Sequence, residues 1–256
     1  MKTSMILLAL AAAAGASGAS AVTLTSTSYT QNFNGLNSSG TGNVSSIGWL
    51  SSETGQNANA SYTAGTGSSN TGDTYSFGTN GDRALGELRS GNLIPLFGAQ
   101  FTNGLATAIT SFTVAYTGEL WRLGSTGRSD SLAFQYSTNA TSLTNGTFTG
   151  VGSLTFTTPN LAGGVGLRDG NLAANRTALT GTIAGLNLLA GQSLFIRFVD
   201  FDASGADDGL GIDDFSLNAT TAAAAVPEPA TWALMIGGMG FVGVAQRRRR
   251  QTVVAA

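Results

Sequence analysis

The chain contains no cysteine and no histidine, and only four prolines in 256 residues. Without cysteine an exported protein has no disulfides, so its core, a metal, or both must hold it together. Without histidine a Ser-His-Asp triad is excluded, as is any zinc site built on imidazole. Lysine occurs once, at Lys2, and the span Val22 to Ala225 has seven arginines: Arg83, Arg89, Arg122, Arg128, Arg168, Arg176 and Arg197. Thirteen carboxylates stand against those seven, a net charge of −6 with no basic cluster. Nucleic-acid binding needs phosphate-neutralising cations and does not fit this balance. Localised acidity suits divalent cations better. Glutamate is scarcer still, with Glu53, Glu87 and Glu119 alone in that span.

What is present begins with an export signal. Lys2 supplies a positive start, Met5 to Ala14 an apolar stretch, and Ala19-Ser20-Ala21 a small-residue cleavage site. This three-part pattern reads as a signal peptide over residues 1–21, with signal peptidase as a partner and Val22 as the new N-terminus.

The body, 22–217, is rich in Gly, Ser, Thr and Asn and shows no apolar helical spacing over three turns. Short alternating runs recur between turn-forming breaks. Strands are predicted at 22–27, 74–78, 84–90, 109–123, 131–137, 153–158, 177–186, 193–201 and 211–217. Phe112, Val114 and Tyr116 share one face, as do Leu132, Phe134 and Tyr136, and Leu194, Ile196 and Phe198. One buried face per strand is what packed antiparallel sheets require. The fold class is therefore all-β, an antiparallel two-sheet sandwich of jelly-roll type. A single barrel is the alternative, and the absence of a fixed repeat counts against a solenoid. Residues 34–72 read as a long irregular excursion pinned by Trp49 and Tyr62, and 218–226 as a low-complexity linker.

Residues 230–245 carry no charge and are followed by Arg247, Arg248, Arg249 and Arg250. Sixteen residues rise about 24 Å as a helix, short of the roughly 30 Å hydrocarbon core. Four arginines resist translocation and stay cytoplasmic. A weak transmembrane helix over about 230–246 is expected, with the body held outside the inner membrane. "PEPATWA", an apolar run and an arginine stop, together 227–250, resemble the PEP-CTERM sorting signal in its PEPxxWA variant. Pro227, Glu228 and Pro229 match the recognition triplet, Trp232 and Ala233 the variant pair, and Arg247 to Arg250 the stop. The resemblance implies an exosortase-type processing enzyme as partner, a transient membrane anchor, and a final place at the cell surface or outside.

The body also looks like an exported jelly-roll module of the carbohydrate-binding or lectin-like kind, through residues 82–91, 116–122, 132–138 and 209–217. In "YTGELWR", Trp121 is placed to stack on a sugar and Glu119 to accept its hydroxyls; Tyr75 is a further candidate. Against this, Trp121 packs in the core and Arg122 pairs with a carboxylate such as Asp130.

The densest acidic stretch is "DFDASGADDGLGIDDFSL", with Asp200, Asp202, Asp207, Asp208, Asp213 and Asp214 and no internal basic residue. Such a set can supply the oxygens of a structural calcium, or it is a solvated turn region. Alternation puts Asp213 on the face of Phe215 and Leu217, where a cation, Arg197 or Arg176 would relieve its burial.

The resulting expectation is a non-enzymatic surface or extracellular-matrix protein that binds exopolysaccharide. An Asp/Glu polysaccharide hydrolase and a purely structural matrix component are the alternatives. Glycosidases need two carboxylates at a controlled separation, and the Glu-x-Asp-x-x-Glu run of jelly-roll glucanases is absent.

Overall fold

The structure, a computed structural model, describes residues 21–79, 81–223 and 229–252. Two compact units divide between Thr221 and Ala222. Among its described residues the first holds strands, turns and three short 3-10 helices, Val44–Ile47, Gly152–Leu154 and Ala173–Asn175. Its first half holds β1 (Val22–Leu24), β2 (Ser28–Gln31), β3 (Thr41–Gly42), β4 (Leu50–Gly55), β5 (Tyr62–Gly65), β6 (Asp73–Thr79), β7 (Asp82–Leu88) and β8 (Leu93–Asn103). Its second half adds β9 (Ile109–Leu123), β10 (Ser131–Ser137), β11 (Thr149–Gly150), β12 (Phe156–Thr157), β13 (Gly166–Leu167), β14 (Arg176–Ile183), β15 (Ser193–Asp200) and β16 (Gly209–Thr221).

These strands form two sheets. One runs β1-β8-β15-β10-β11, with β4 also beside β8 and β12 beside β10. The other runs β13-β9-β16-β7-β6-β5-β3, with β14 also beside β9 and β2 beside β16. Pairing is antiparallel except for β1 with β8 and β5 with β6, which are parallel. The architecture is a two-sheet β-sandwich of jelly-roll type.

Alternation explains why the sheets close on each other. Phe97, Phe101, Phe134, Ile196 and Phe198 from one sheet meet Leu85, Phe112, Val114, Tyr116, Ile212 and Phe215 from the other in one buried cluster. At its centre Trp49 lies edge-on to Phe33 and Phe215, 4.9 and 5.2 Å between ring centroids. Gly118 faces this core from β9 and admits the Phe156 ring, since a Cβ there would stand 2.3 Å from it.

Residues 34–72 are more regular than an excursion. Trp49 and Tyr62 are buried within them, but so is a real ladder: β4 pairs with β8 over six residues, and β5 joins β6. The strand β8 was hidden by Pro95, which lacks the N–H that an interior strand position needs. Pro95 pairs only with Glu53 of β4, because the ladder to β15 on the other side starts at Leu96. A proline sits there without breaking a two-sided sheet. The run 153–158 contributes only the two residues of β12 after a short 3-10 turn, and β16 continues four residues past Leu217.

One irregularity matters for the site. Against β9 the register of β16 shifts between Asp213 and Ser216, with Asp214 at a left-handed φ of 51°. A bulge puts one extra residue in a strand and changes which face its side chains take. Leu210 and Ile212 face the core before it, Phe215 and Leu217 after it. Asp213 therefore lies on the outer face, opposite Phe215, contrary to simple alternation.

Candidate functional site

The inward rows of four strands end in acid. Glu87 follows Leu85 on β7, Asp200 follows Ile196 and Phe198 on β15, Asp130 precedes Leu132 and Phe134 of β10, and Asp208 precedes Leu210 of β16. At these positions the apolar stripe gives way to carboxylates buried between the sheets: Glu87 is 0% exposed and Asp200 2%. The Asp200 backbone N–H donates to Glu87 Oε1 at 2.8 Å. One carboxylate oxygen each from Asp130, Asp200 and Asp207 lies within 4.8 Å of the other two.

Some of these acids are satisfied. Asp208 accepts from the Gly124 N–H at 2.7 Å and the Thr158 hydroxyl at 2.6 Å. Asp130 accepts the backbone N–H groups of Ser131 and Asp208 at 2.8 and 2.9 Å. Asp207 accepts the Ala203 N–H at 3.0 Å. Arg128 stands 3.2 Å from Asp130 and 3.4 Å from Asp208. By contrast, both carboxylate oxygens of Asp200 and the Oε2 of Glu87 are buried with no hydrogen-bond partner among the described residues. Burial, then the neighbouring Glu87, Asp130 and Asp207, pushes Asp200 up to about 11. Burial likewise holds Glu87 well above the carboxylate range and raises Asp207 to about 6 and Asp130 above its ordinary value.

Of the six aspartates in the 200–214 stretch, Asp200, Asp207 and Asp208 meet here; Glu87 and Asp130 join them from elsewhere in the sequence. Asp202 does not, being exposed and paired with Arg89 at 3.2 Å. Asp213 and Asp214 belong to a second place on the outer face of the other sheet. There Arg176 lies 3.2 Å from Glu119 and 3.9 Å from Asp214, so it is Arg176 rather than Arg197 that serves this carboxylate group. Arg197 is spent on Gln135, the Leu143 carbonyl and the face of Phe148, 3.8 Å from its centroid. Burial, with Asp213 next, lifts Glu119 to about 8, and burial lifts Asp213 to about 7.

Trp121 and Tyr75 sit on this outer face too, but as a covered stack. Tyr75 lies on Phe77 at 4.8 Å and Phe77 on Trp121 at 6.0 Å, the rings nearly parallel. Trp121 is 0% exposed, Tyr75 3% and Glu119 1%, and Trp121 Nε1 donates to Glu119 at 3.1 Å. Gly170 covers the indole so closely that a Cβ would stand 2.5 Å from it. No open face remains for a sugar ring. Arg122 bonds Asn70 and the carbonyls of Gly67 and Ser68, while Asp130 takes Arg128.

A groove that the sequence did not suggest lies where β8 and β15 meet the 138–141 and 185–188 loops. It encloses about 630 Å³ and is lined by Gln100, Asn139, Asn187, Gln192, Ser193 and Phe195 among others, none of them charged. A second depression shares Thr138, Asn139, Gly185 and Leu186 with it and reaches Tyr136 and Thr149. Gln100 Nε2 donates to Ser193 Oγ at 3.1 Å, which fixes one amide at its wall. Asn139 Oδ1 accepts the Thr147 N–H at 2.9 Å, which fixes another.

The second unit is the helix α1 (Pro229–Thr252), 24 residues long and beginning at a proline, which suits a first helical position. It carries Trp232 and Ala233, exposes Leu234, Ile236, Met239 and Phe241, and continues through the arginines. Pro227 and Glu228, like the signal segment with Ala19, lie outside the described residues; Ala21 stands directly before β1. Among the described residues no helix is long and apolar enough to cross a membrane. Four glycines dilute the uncharged run and the arginines end it.

Residues 225–250 match the PEP-CTERM protein-sorting motif. The chain carries a PEP-CTERM sorting motif. That motif implies exosortase-sorted export, with the protein passing through the membrane toward the surface. None of the curated proteins matches this chain. Among solved structures it is similar to TmCBM61 in complex with β-1,4-galactotriose, at 12% identity and a TM-score of 0.30, covering 54% of this chain and 72% of that one. It is also similar to CBM28, a carbohydrate-binding module specific for non-crystalline cellulose, at 15% identity and a TM-score of 0.31, covering 58% and 82%. A third likeness is to the Eiger TNF of S. frugiperda, at 11% identity and a TM-score of 0.27, covering 70% and 96%. TM-scores this low carry no weight for ligand or activity.

Proposed function

We propose that this PEP-CTERM protein is a non-catalytic component of the cell surface or extracellular matrix that holds a neutral polysaccharide in its uncharged groove. The observation that supports this is the groove's lining. Amides and hydroxyls without a single ionisable group offer paired donors and acceptors of the kind sugar hydroxyls use. Phe195 in the lining supplies an apolar contact. The hydrolase alternative gains nothing from the buried acids, since Glu87 and Asp200 are sealed between the sheets. Exosortase acts on the tail, the step that the motif at 225–250 supports.

The test is a titration of the full-length protein, in detergent, with the exopolysaccharide of its own host. Saturable binding is expected to weaken about tenfold when Gln100 and Gln192 are both changed to alanine, the loss of two good hydrogen bonds. Binding that survives this double change would place the ligand elsewhere, and no binding at all would leave a purely structural matrix protein.

A further inference from the structure

We propose that Asp130, Asp200 and Asp207, with Glu87 behind them, bind a calcium ion that joins the two sheets at this end of the sandwich. Three features carry the assignment. The first is geometry. One carboxylate oxygen from each of three aspartates lies within 4.8 Å of the other two, close enough for a shared cation to draw them onto itself. Calcium takes six to eight oxygens in flexible geometry and suits an all-protein set, whereas magnesium demands a near-ideal octahedron and keeps several waters. The second is donor chemistry: the set is all oxygen, with no imidazole or thiolate anywhere in the chain, which selects a hard cation.

The third is the set of bare oxygens. Both oxygens of Asp200 and the Oε2 of Glu87 are buried and unpartnered, an arrangement that costs several kcal/mol per group unless a cation compensates it. Neither nearby arginine forms an ion pair with the Asp200 or Glu87 carboxylate. Arg128 faces Asp130 and Asp208, while Arg89 faces Asp202 and the Asp200 carbonyl. A small depression of about 110 Å³, lined by Arg89, Ser90, Gly205 and Asp207 among others, reaches one of the ligands, Asp207.

The ligands come from both layers. Glu87 belongs to the nine-stranded sheet, Asp200 closes β15 of the seven-stranded sheet, Asp130 stands before β10, and Asp207 lies in the loop entering β16. In a chain without cysteine the ion would be its cross-link. Extracellular calcium modules bind at about 10⁻⁴–10⁻³ M, so such a site fills outside the cell and not in the cytoplasm.

The decisive experiment is thermal unfolding of the full-length protein in detergent, in EDTA and in about 10 mM calcium chloride. Calcium is expected to raise Tm by about 5–10 °C, the effect of a native-state ligand at a hundredfold excess over its Kd. Asp200→Asn should abolish the increment while still folding in EDTA, because it neutralises the least tolerated charge. Asp202→Asn should keep the full increment. Calorimetric titration with calcium chloride should show one ion per chain, lost in Asp200→Asn. The proposal is overturned if neither Tm nor heat responds to calcium, which leaves Glu87 and Asp200 protonated instead, or if Asp200→Asn responds like the parent. Both readouts omit saccharide, so they stand or fall apart from the groove.

Discussion

Two groups of buried carboxylates meet the chain a few residues apart, at the loop entering β16 and on β16 itself, and they solve the same problem differently. On the outer face, Glu119 and Asp213 have Arg176, the indole N–H of Trp121 and the Asp214 backbone N–H, which donates to Asp213 at 2.7 Å. Between the sheets, Glu87 and Asp200 keep three oxygens with no hydrogen-bond partner among the described residues. Burial raises the carboxyl groups in both places, so burial alone does not separate a structural ion pair from a site awaiting a ligand. The inventory of partners does. The outer group has Arg176 beside its one bare oxygen, Glu119 Oε1, whereas Glu87 and Asp200 have no ion-pair partner within 4.0 Å among the described residues.

The largest break in that comparison comes from Trp121→Ala. It removes a fully buried indole that both stacks on Phe77 and bonds Glu119, and should cost about 3–5 kcal/mol by denaturant unfolding. Saccharide binding by whatever remains folded should be unchanged.

A sharper test uses pH in the absence of calcium. Glu119 stands at about 8 in the fold against 4.5 unfolded, so its contribution is fully present below pH 4.5 and is lost as pH rises toward 8. In that window the unfolded chain binds fewer protons, and stability falls on the order of 3 kcal/mol. Glu119→Gln should flatten the slope in a stability profile from pH 4.5 to 8; an unchanged slope would show that Arg176 already neutralises Glu119 in full. The smallest effect belongs to Asp202→Asn. An exposed carboxylate on one arginine should shift stability by no more than about 0.5 kcal/mol, measured by the same unfolding assay.

Much of the sandwich was readable from alternation alone. The strands at 109–123 and 131–137 match their predicted bounds, because each presents an unbroken apolar row. The strand β8 was concealed by Pro95 and Gly98, whose meaning depends on which neighbours each one faces. The acid run at 200–214 was visible, but its division into two sites was not, since the dividing bulge is a matter of register against β9. Glu87 and Asp130 escaped for another reason. Glu87 meets Asp200 across a sequence separation of 113 residues. A hint was nonetheless available, as Glu87 shares parity with Leu85, and Asp130 with Leu132 and Phe134. A charged residue at the end of an inward row asks for a partner, and the sequence cannot say which strand end will lie opposite.

The sorting tail was legible as a linear address, while the groove was not, because amides and hydroxyls are spread throughout so polar a chain. Trp121 shows the opposite failure. An aromatic beside a carboxylate reads as a ligand platform until the covering loop at Gly170 is known.

The place of β16 has a consequence for the journey the tail prescribes. It is the last strand of the body, yet it lies inside its sheet, laddered to β9, β7 and β2. A chain threaded outward from its N-terminus delivers that keystone last. Until it arrives, β9 and β7 lack the strand that lies between them. Closure of the sandwich therefore waits until the whole body has passed.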